Sequence, residues 1–169
     1  MAKILVVDDE ITSITILRKV LEDAGHRVTT VSDGNMALGK IREFKYDIML
    51  TDFNMPGMNG IELTEQALKI EQDMIVILIT AFATIRSAVD AIRYGAFDYL
   101  TKPVNKEELL LSIDRGMERI LLVHENLLLK HKLEKVEPGG EFDDDYATTN
   151  KDIKAMLNEA KKVAKTDST

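Results

Sequence analysis

Three carboxylates in this chain stand where an apolar run stops. Asp8 and Asp9 follow Ile4-Leu5-Val6-Val7, and Thr51-Asp52 follows Ile48-Met49-Leu50. Thr80 closes the run Met74–Ile79, and Thr101-Lys102-Pro103 comes directly after Phe97–Leu100. The runs Ile4–Val7 and Ile75–Ile79 lack polar alternation, as strands covered on both faces of a parallel sheet do. Ligands of an open parallel sheet bind outside the carboxyl ends of its strands. Three carboxylates, one hydroxyl and one ammonium are thereby delivered to one edge. Carboxylates crowded together repel one another and add nothing to folding unless a cation sits among them. A hard divalent ion held by a few carboxylates, with positions left for water and phosphate oxygens, is the ordinary way of binding Mg²⁺. The chemistry this suits is the handling of a phosphoryl group.

Each residue alone has a plainer use. Asp8 or Asp9 would serve as the N-cap of the helix that follows. Asp52 would open the turn-forming stretch Asn54-Met55-Pro56-Gly57. Thr80 would cap or bond back to the main chain, and Lys102 would be a solvated charge. Ser32-Asp33, after the weaker β-branched run Arg27–Val31, belongs to a flanking strand that need not reach the site. Only the joint arrangement points to chemistry.

Helical spacing fills the gaps between the runs. Ile11, Ile14, Leu17, Val20 and Leu21 recur at three and four before Gly25, and Met36, Leu38 and Ile41 mark a second helix after Asp33-Gly34. Asn59 and Glu62 have the spacing of a capping box, opening a third helix with Leu63, Ala67 and Leu68 inward. Thr84 to Tyr94 gives a fourth, stopped by Gly95, and a second box at Asn105 and Glu108 opens a fifth. Strand and helix alternating five times predict an α/β fold, a five-stranded doubly wound parallel sheet. The right-handed crossover rule puts helices on both of its faces.

The fifth helix runs unbroken, except at Gly116, from Asn105 to Pro138-Gly139-Gly140. That is roughly 32 residues, or ~48 Å, more than a small sheet can cover. Leu109, Ile113, Met117 and Ile120 form one stripe, suited to packing on the sheet. Leu122, Asn126, Leu129, Leu133 and Val136 then alternate by four and three, which is coiled-coil spacing; one Asn at such a position fixes register and two-strandedness. The plainer alternative is an amphipathic helix packed elsewhere on the same molecule. Residues 138–149, with Glu141-Phe142-Asp143-Asp144-Asp145-Tyr146, read as an acidic flexible linker. Residues 150–169 give one amphipathic helix with nothing left in the chain to bury it.

Composition removes several classes of function. Lys plus Arg number 22 and Asp plus Glu 29, a net charge of −7 over 169 residues, which disfavours nucleic-acid contact by this piece of chain. There is no cysteine, so disulfides, thiolate catalysis and thiolate-bound zinc are excluded, and His26, His124 and His131 are too scattered to suggest a metal site. Asp8 and Asp9 interrupt any leader-like apolar core, and no run nears the ~18 residues of a membrane span. The expectation is a cytoplasmic protein with no membrane partner.

Val7-Asp8-Asp9-Glu10, the stretch Thr51 to Gly60, Thr80-Ala81 and Tyr99-Leu100-Thr101-Lys102-Pro103 resemble, in order and spacing, the receiver domain of two-component response regulators. The resemblance covers residues 2–122. It implies a flavodoxin-like sheet of order 2-1-3-4-5, Mg²⁺ as cofactor and a sensor histidine kinase as partner. It also implies that Asp52 accepts the phosphoryl group. Asp9, Asp52 and the backbone carbonyl of Asn54 would hold the ion, with Asp8 supporting it indirectly. Lys102 would neutralise phosphoryl charge, and Thr80 would bond a phosphoryl oxygen once attached, with Tyr99 then turning inward. The Lys102–Pro103 bond would be cis. The last helix resembles the opening of the AAA+ ATPase domain in sigma-54-dependent activators, although no phosphate-binding Gly-rich loop follows it in this chain.

The expected organisation is thus a receiver domain over 1–122, a helical coiled-coil linker over 123–137, the acidic linker over 138–149 and the start of an output domain over 150–169. The homodimer would form through helix four, strand five, helix five and the linker residues Leu122, Asn126, Leu129 and Leu133. The expected role is a phosphoacceptor, not an enzyme with turnover. Two other readings stand beside it: an aspartyl-nucleophile phosphatase, or a dimerisation module that is never phosphorylated. Asn54, two residues after Asp52, cannot supply the proton such a phosphatase takes from a second Asp.

Overall fold

A computed structural model describes residues 1–82 and 84–134. The expected linkers from 135 onward, Val136 among them, the final helix over 150–169 and the side chain of Leu133 lie outside the described residues. The order is β1 (Lys3–Val7), α1 (Ile11–Asp23), β2 (Arg27–Val31), α2 (Gly34–Glu43), β3 (Ile48–Asp52), α3 (Gly60–Ile70), β4 (Ile75–Thr80), α4 (Ile85–Arg93), β5 (Asp98–Thr101) and α5 (Lys106–Glu134). All pairings are parallel, in the order β2-β1-β3-β4-β5. Register sets Val7 against Thr51, Asp52 against Ile79 and Thr80 against Thr101, so the polar strand ends stand side by side.

Alternation along each strand feeds two cores. Ile4, Val6, Ile48, Leu50, Ile75, Ile77 and Ile79 meet Leu17 and Leu21 of α1 and Leu109 and Ile113 of α5. Leu5, Val7, Met49 and Val76 meet Ala37, Leu38 and Ile41 of α2 and Leu63 and Ala67 of α3. Each Leu or Ile taken wholly out of water stabilises the fold by about 1.5–3 kcal/mol, and this holds the strand ends in place. The apolar stripes are narrower than their spacing suggests, for Ile11 and Met36 are exposed.

The helix ends follow their local chemistry. The Asn59–Glu62 capping box forms, and Asn105 accepts the amides of Glu107 at 2.8 Å and Glu108 at 3.3 Å. The α1 helix departs from expectation: its N-cap is Glu10, without a side-chain cap, so neither Asp8 nor Asp9 serves that purpose. Gly25 and Gly95 lie at φ 87° and 99°, the left-handed region where a helix commonly stops on glycine. Gly116 does not break α5; a Cβ there would come within 2.9 Å of Ile75 Cγ2, so the glycine lets the helix lie close on β4.

Helix α4 packs unlike its neighbours. Its Ile85, Val89 and Ile92 are exposed and only Ala91 is buried, above a small cluster of Leu78 and Ala96 flanked by Phe53, Ile61 and Tyr99. On α5, Leu122, Asn126 and Leu129 are exposed, so the described residues do not bury this stripe as the single-chain alternative requires. Asn126 Nδ2 donates to the Leu122 carbonyl at 2.9 Å. Among the described residues no helix is long and apolar enough to cross a membrane.

Candidate functional site

Strand β1 lies between β2 and β3, so the loops leaving β1 and β3 diverge and open a crevice at the carboxyl edge. Asp8 enters it directly after β1, only 1% exposed, and Asp52 ends β3 at 6%. Asp9 is exposed at the mouth. One oxygen of each of Asp8, Asp9 and Asp52 lies within 4.8 Å of the others.

Lys102 joins this cluster from the loop after β5. Its amide donates to the Thr80 carbonyl at 2.7 Å and its bond to Pro103 is cis, as the resemblance implied. Its Nζ stands 2.9 Å from Asp8 Oδ2 and 2.9 Å from Asp52 Oδ1. The remaining oxygens are also engaged: Asp8 Oδ1 accepts the Glu10 amide at 2.8 Å and Asp52 Oδ2 the Asn54 amide at 3.2 Å.

Burial pushes the Asp52 carboxyl above its usual range; the hydrogen bond and charge of Lys102 pull it back, Asp8 adds to the rise, and the net direction is upward. Burial alone would lower Lys102, but its bonds to Asp8 and Asp52 and their charges outweigh it, and the ammonium is held above its ordinary value. The two directions agree physically. Lys102 gains two anions, whereas Asp52 shares one cation with a second buried acid.

The loop after β3 is shaped by packing. Met55 is buried and Gly57 sits at φ 82°. Gly60, the first residue of α3, donates its amide to the Phe53 carbonyl at 2.9 Å. A Cβ on it would collide with the Asp52 carbonyl oxygen and come within 2.7 Å of Leu78 Cδ2. The start of α3 therefore presses on the backbone that carries Asp52.

Thr80, fully buried, ends β4 one residue beyond Ile79, the ladder partner of Asp52, and its Oγ accepts the Phe82 amide at 3.2 Å. Tyr99 is half-buried on β5, with its ring edge-on to Phe53 at 6.5 Å. Its hydroxyl lies 2.8 Å from Ser87 Oγ on α4. Its neighbour Asp98 receives the hydroxyl of Ser112, on α5, at 2.6 Å. Neither Ser87 nor Ser112 is among the site residues expected from the sequence. Ser87 had a signal: it stands three residues after Thr84, the spacing noticed at Asn59 and Asn105, but with Ser instead of the usual Glu or Gln.

Asp8, Asp9, Asp52 and Lys102 thus converge, with Asn54 beside them and Thr80 on the adjoining strand. Such a group can hold a hard cation and meet a phosphoryl group with an ammonium, a hydroxyl and a carboxylate.

The fold has close counterparts among solved structures. A response regulator receiver domain from Clostridium thermocellum shares the fold with a TM-score of 0.69 and 34% identity, covering 73% of this chain and 99% of that one. NtrX from Brucella abortus, crystallised in complex with ATP, matches with a TM-score of 0.72 and 32% identity over 76% of this chain and 29% of its own. The transcriptional regulatory protein ZraR of Klebsiella oxytoca is 38% identical over 114 residues, 68% of this chain. The match spans only 26% of that relative's length. Residues 4–114 match the family described as the response regulator receiver domain, and to that family this chain belongs.

Proposed function

We propose that the chain is a phosphorylation-controlled receiver in which a sensor histidine kinase delivers a phosphoryl group to Asp52. The observation that carries this reading is the ammonium of Lys102 held 2.9 Å from both Asp8 and Asp52, beside the exposed Asp9.

The donor set suits Mg²⁺, being all oxygen with three carboxylates grouped within 4.8 Å. Asp9, Asp52 and the Asn54 backbone carbonyl would hold the ion. Asp8, with both oxygens already engaged, supports it indirectly. When bound, the ion supplies positive charge to the oxygens of the phosphoryl group. Lys102 and the Asn54 amide favour the ionised form of the buried Asp52 carboxylate against the opposing effect of burial, and aim it. An Asp52 oxygen attacks phosphorus; the phosphorus–nitrogen bond to the kinase imidazole breaks, and the imidazole keeps the bonding pair. Lys102 then pairs with the phosphoryl oxygens and the Thr80 hydroxyl donates to one of them. A groove of about 450 Å³ lined by Ile16, Leu17, Pro103 and Val104 opens beside Lys102 and gives the kinase a surface to approach.

Asn54 has no titratable proton for a leaving group, which favours a persistent acyl phosphate over turnover of phosphate esters. The outward Ile85, Val89 and Ile92 of α4 and the exposed Leu122 and Leu129 of α5 support a homodimer through α4, β5, α5 and the linker. Residues 1–122 form the receiver in this reading, and 123–137 and 138–149 link it to an ATPase output domain that begins at 150. The description of ZraR as a transcriptional regulatory protein and the ATP complex of NtrX support that assignment, and the reading places the chain in the cytoplasm.

Mixing the chain with Mg²⁺ and acetyl phosphate tests the central step by intact mass and peptide mapping. One phosphoryl group on Asp52, absent from Asp52→Asn, is expected. An adduct that survives Asp52→Asn, or steady turnover of varied phosphate esters, overturns the reading.

A further inference from the structure

The α4 helix is held at its start by polar bonds more than by packing. Of its residues only Ala91 is buried, whereas α1, α2 and α3 each bury Leu side chains in the cores. Its first turn is closed by a reciprocal cap: Thr84 N–H donates to Ser87 Oγ at 3.0 Å and Ser87 N–H to Thr84 Oγ at 3.0 Å. The same Ser87 Oγ lies 2.8 Å from the Tyr99 hydroxyl. A serine hydroxyl has one proton and two lone pairs. That of Ser87 faces the Thr84 amide at 3.0 Å, the Thr84 carbonyl and hydroxyl oxygens, both at 2.9 Å, and the Tyr99 hydroxyl. Whichever hydroxyl of the Ser87–Tyr99 pair donates, one serine oxygen joins Tyr99 to the cap of α4.

We propose that Ser87 is a positioning residue that ties the orientation of Tyr99 to the first turn of α4. Turning the ring away from Ser87 withdraws a hydrogen-bond partner from the cap and loosens that turn; loosening the turn frees the ring by the same amount, because coupling between two sites is reciprocal. The proposal rests on the reading that phosphorylation of Asp52 engages Thr80 and lets Tyr99 turn, and it names the contact through which that movement reaches α4.

Amide hydrogen exchange on the unphosphorylated full chain tests the contact without any phosphoryl chemistry. Tyr99→Phe keeps the ring and removes only the hydroxyl, and exchange at the Thr84 and Ser87 amides is expected to quicken about fivefold, the effect of one ordinary hydrogen bond. Ser87→Ala speeds these amides further, and Tyr99→Phe added to it changes nothing more. Ser87→Thr restores protection. Amides of β1 and β3 keep their rates in every variant, which separates a local release from a loss of fold. Unchanged Thr84 and Ser87 amides in Tyr99→Phe, or an equal effect of Tyr99→Phe with and without Ser87, overturns the proposal. A second arm adds Mg²⁺ and beryllofluoride. Mimic bound at Asp52 with no faster exchange at these amides overturns the link to phosphorylation. No mimic at Asp52 refutes the phosphoacceptor reading instead, and the variant cycle in the resting protein still decides whether the tie exists.

Discussion

Replacing Lys102 by Met removes, among the described residues, the cation that reaches both buried acids, while keeping most of the side-chain volume. Asp8 and Asp52 have side chains 2% and 8% exposed, and each gives one oxygen to Nζ at 2.9 Å. Removing one partner of a buried ion pair costs about 3–5 kcal/mol, because the other charge is left uncompensated. The Lys102 side chain is 21% exposed, so water screens part of the effect and the low end, ~3 kcal/mol, is the expected loss. With a urea slope of about 2 kcal/mol per molar, the midpoint falls by ~1.5 M. Equilibrium urea unfolding in metal-free buffer, followed by far-UV circular dichroism, measures it. Adding Asp52→Asn to Lys102→Met removes one of the two facing charges and returns at least ~1 kcal/mol. Added Mg²⁺ raises the midpoint of Lys102→Met more than that of the wild type, since a cation again stands among the acids. A midpoint within about 0.3 M of wild type would show that the ammonium does not satisfy the buried carboxylates, and the electrostatic account of the site would fall with it.

Gly60→Ala drives a methyl group against the Asp52 backbone carbonyl, which cannot give way as a side chain would, and against the Cδ2 methyl of the fully buried Leu78. Overpacking of this kind costs about 1–3 kcal/mol, offset by up to ~1 kcal/mol from better helix propensity; a lower urea midpoint together with weaker Mg²⁺ binding is expected, and an unchanged midpoint would refute the close contact. His26 accepts the Ala2 amide at its Nδ1 at 3.3 Å, and burial, then the N-terminal ammonium, lower its pKa from 6.5 against the opposing pull of Asp114. The unfolded chain therefore protonates first as pH falls. This contribution to stability is complete above pH 6.5 and is lost between 6.5 and the lower folded value. His26→Gln should flatten the urea midpoint against pH in that window, and parallel curves for the two proteins would contradict the assignment.

Much of the fold was legible because its strands are buried on both faces. Ile4–Val7 and Ile75–Ile79 carry no alternation, and Asp8, Asp52 and Thr80 mark where each run meets the solvent edge. Asn59 and Asn105 announced their helices because a cap is a local bond between near neighbours. What stayed hidden depends on distance in space. Periodicity gives a helix a stripe but not the direction it faces, so the outward turn of Ile85, Val89 and Ile92 could not be read. Gly116 looked like a weak point in a helix, and only the approach of Ile75 explains it. The bond between Ser87 and Tyr99 joins residues twelve apart across two elements and leaves no trace in either segment alone.

Asp98 and Tyr99 are consecutive, and consecutive residues of a strand point to opposite sides. One reaches Ser112 on α5 and the other Ser87 on α4, so a single peptide unit is fastened to both helical layers. A shift of that unit therefore strains a polar bond on each face at once, because the pleat sets the two fastenings back to back.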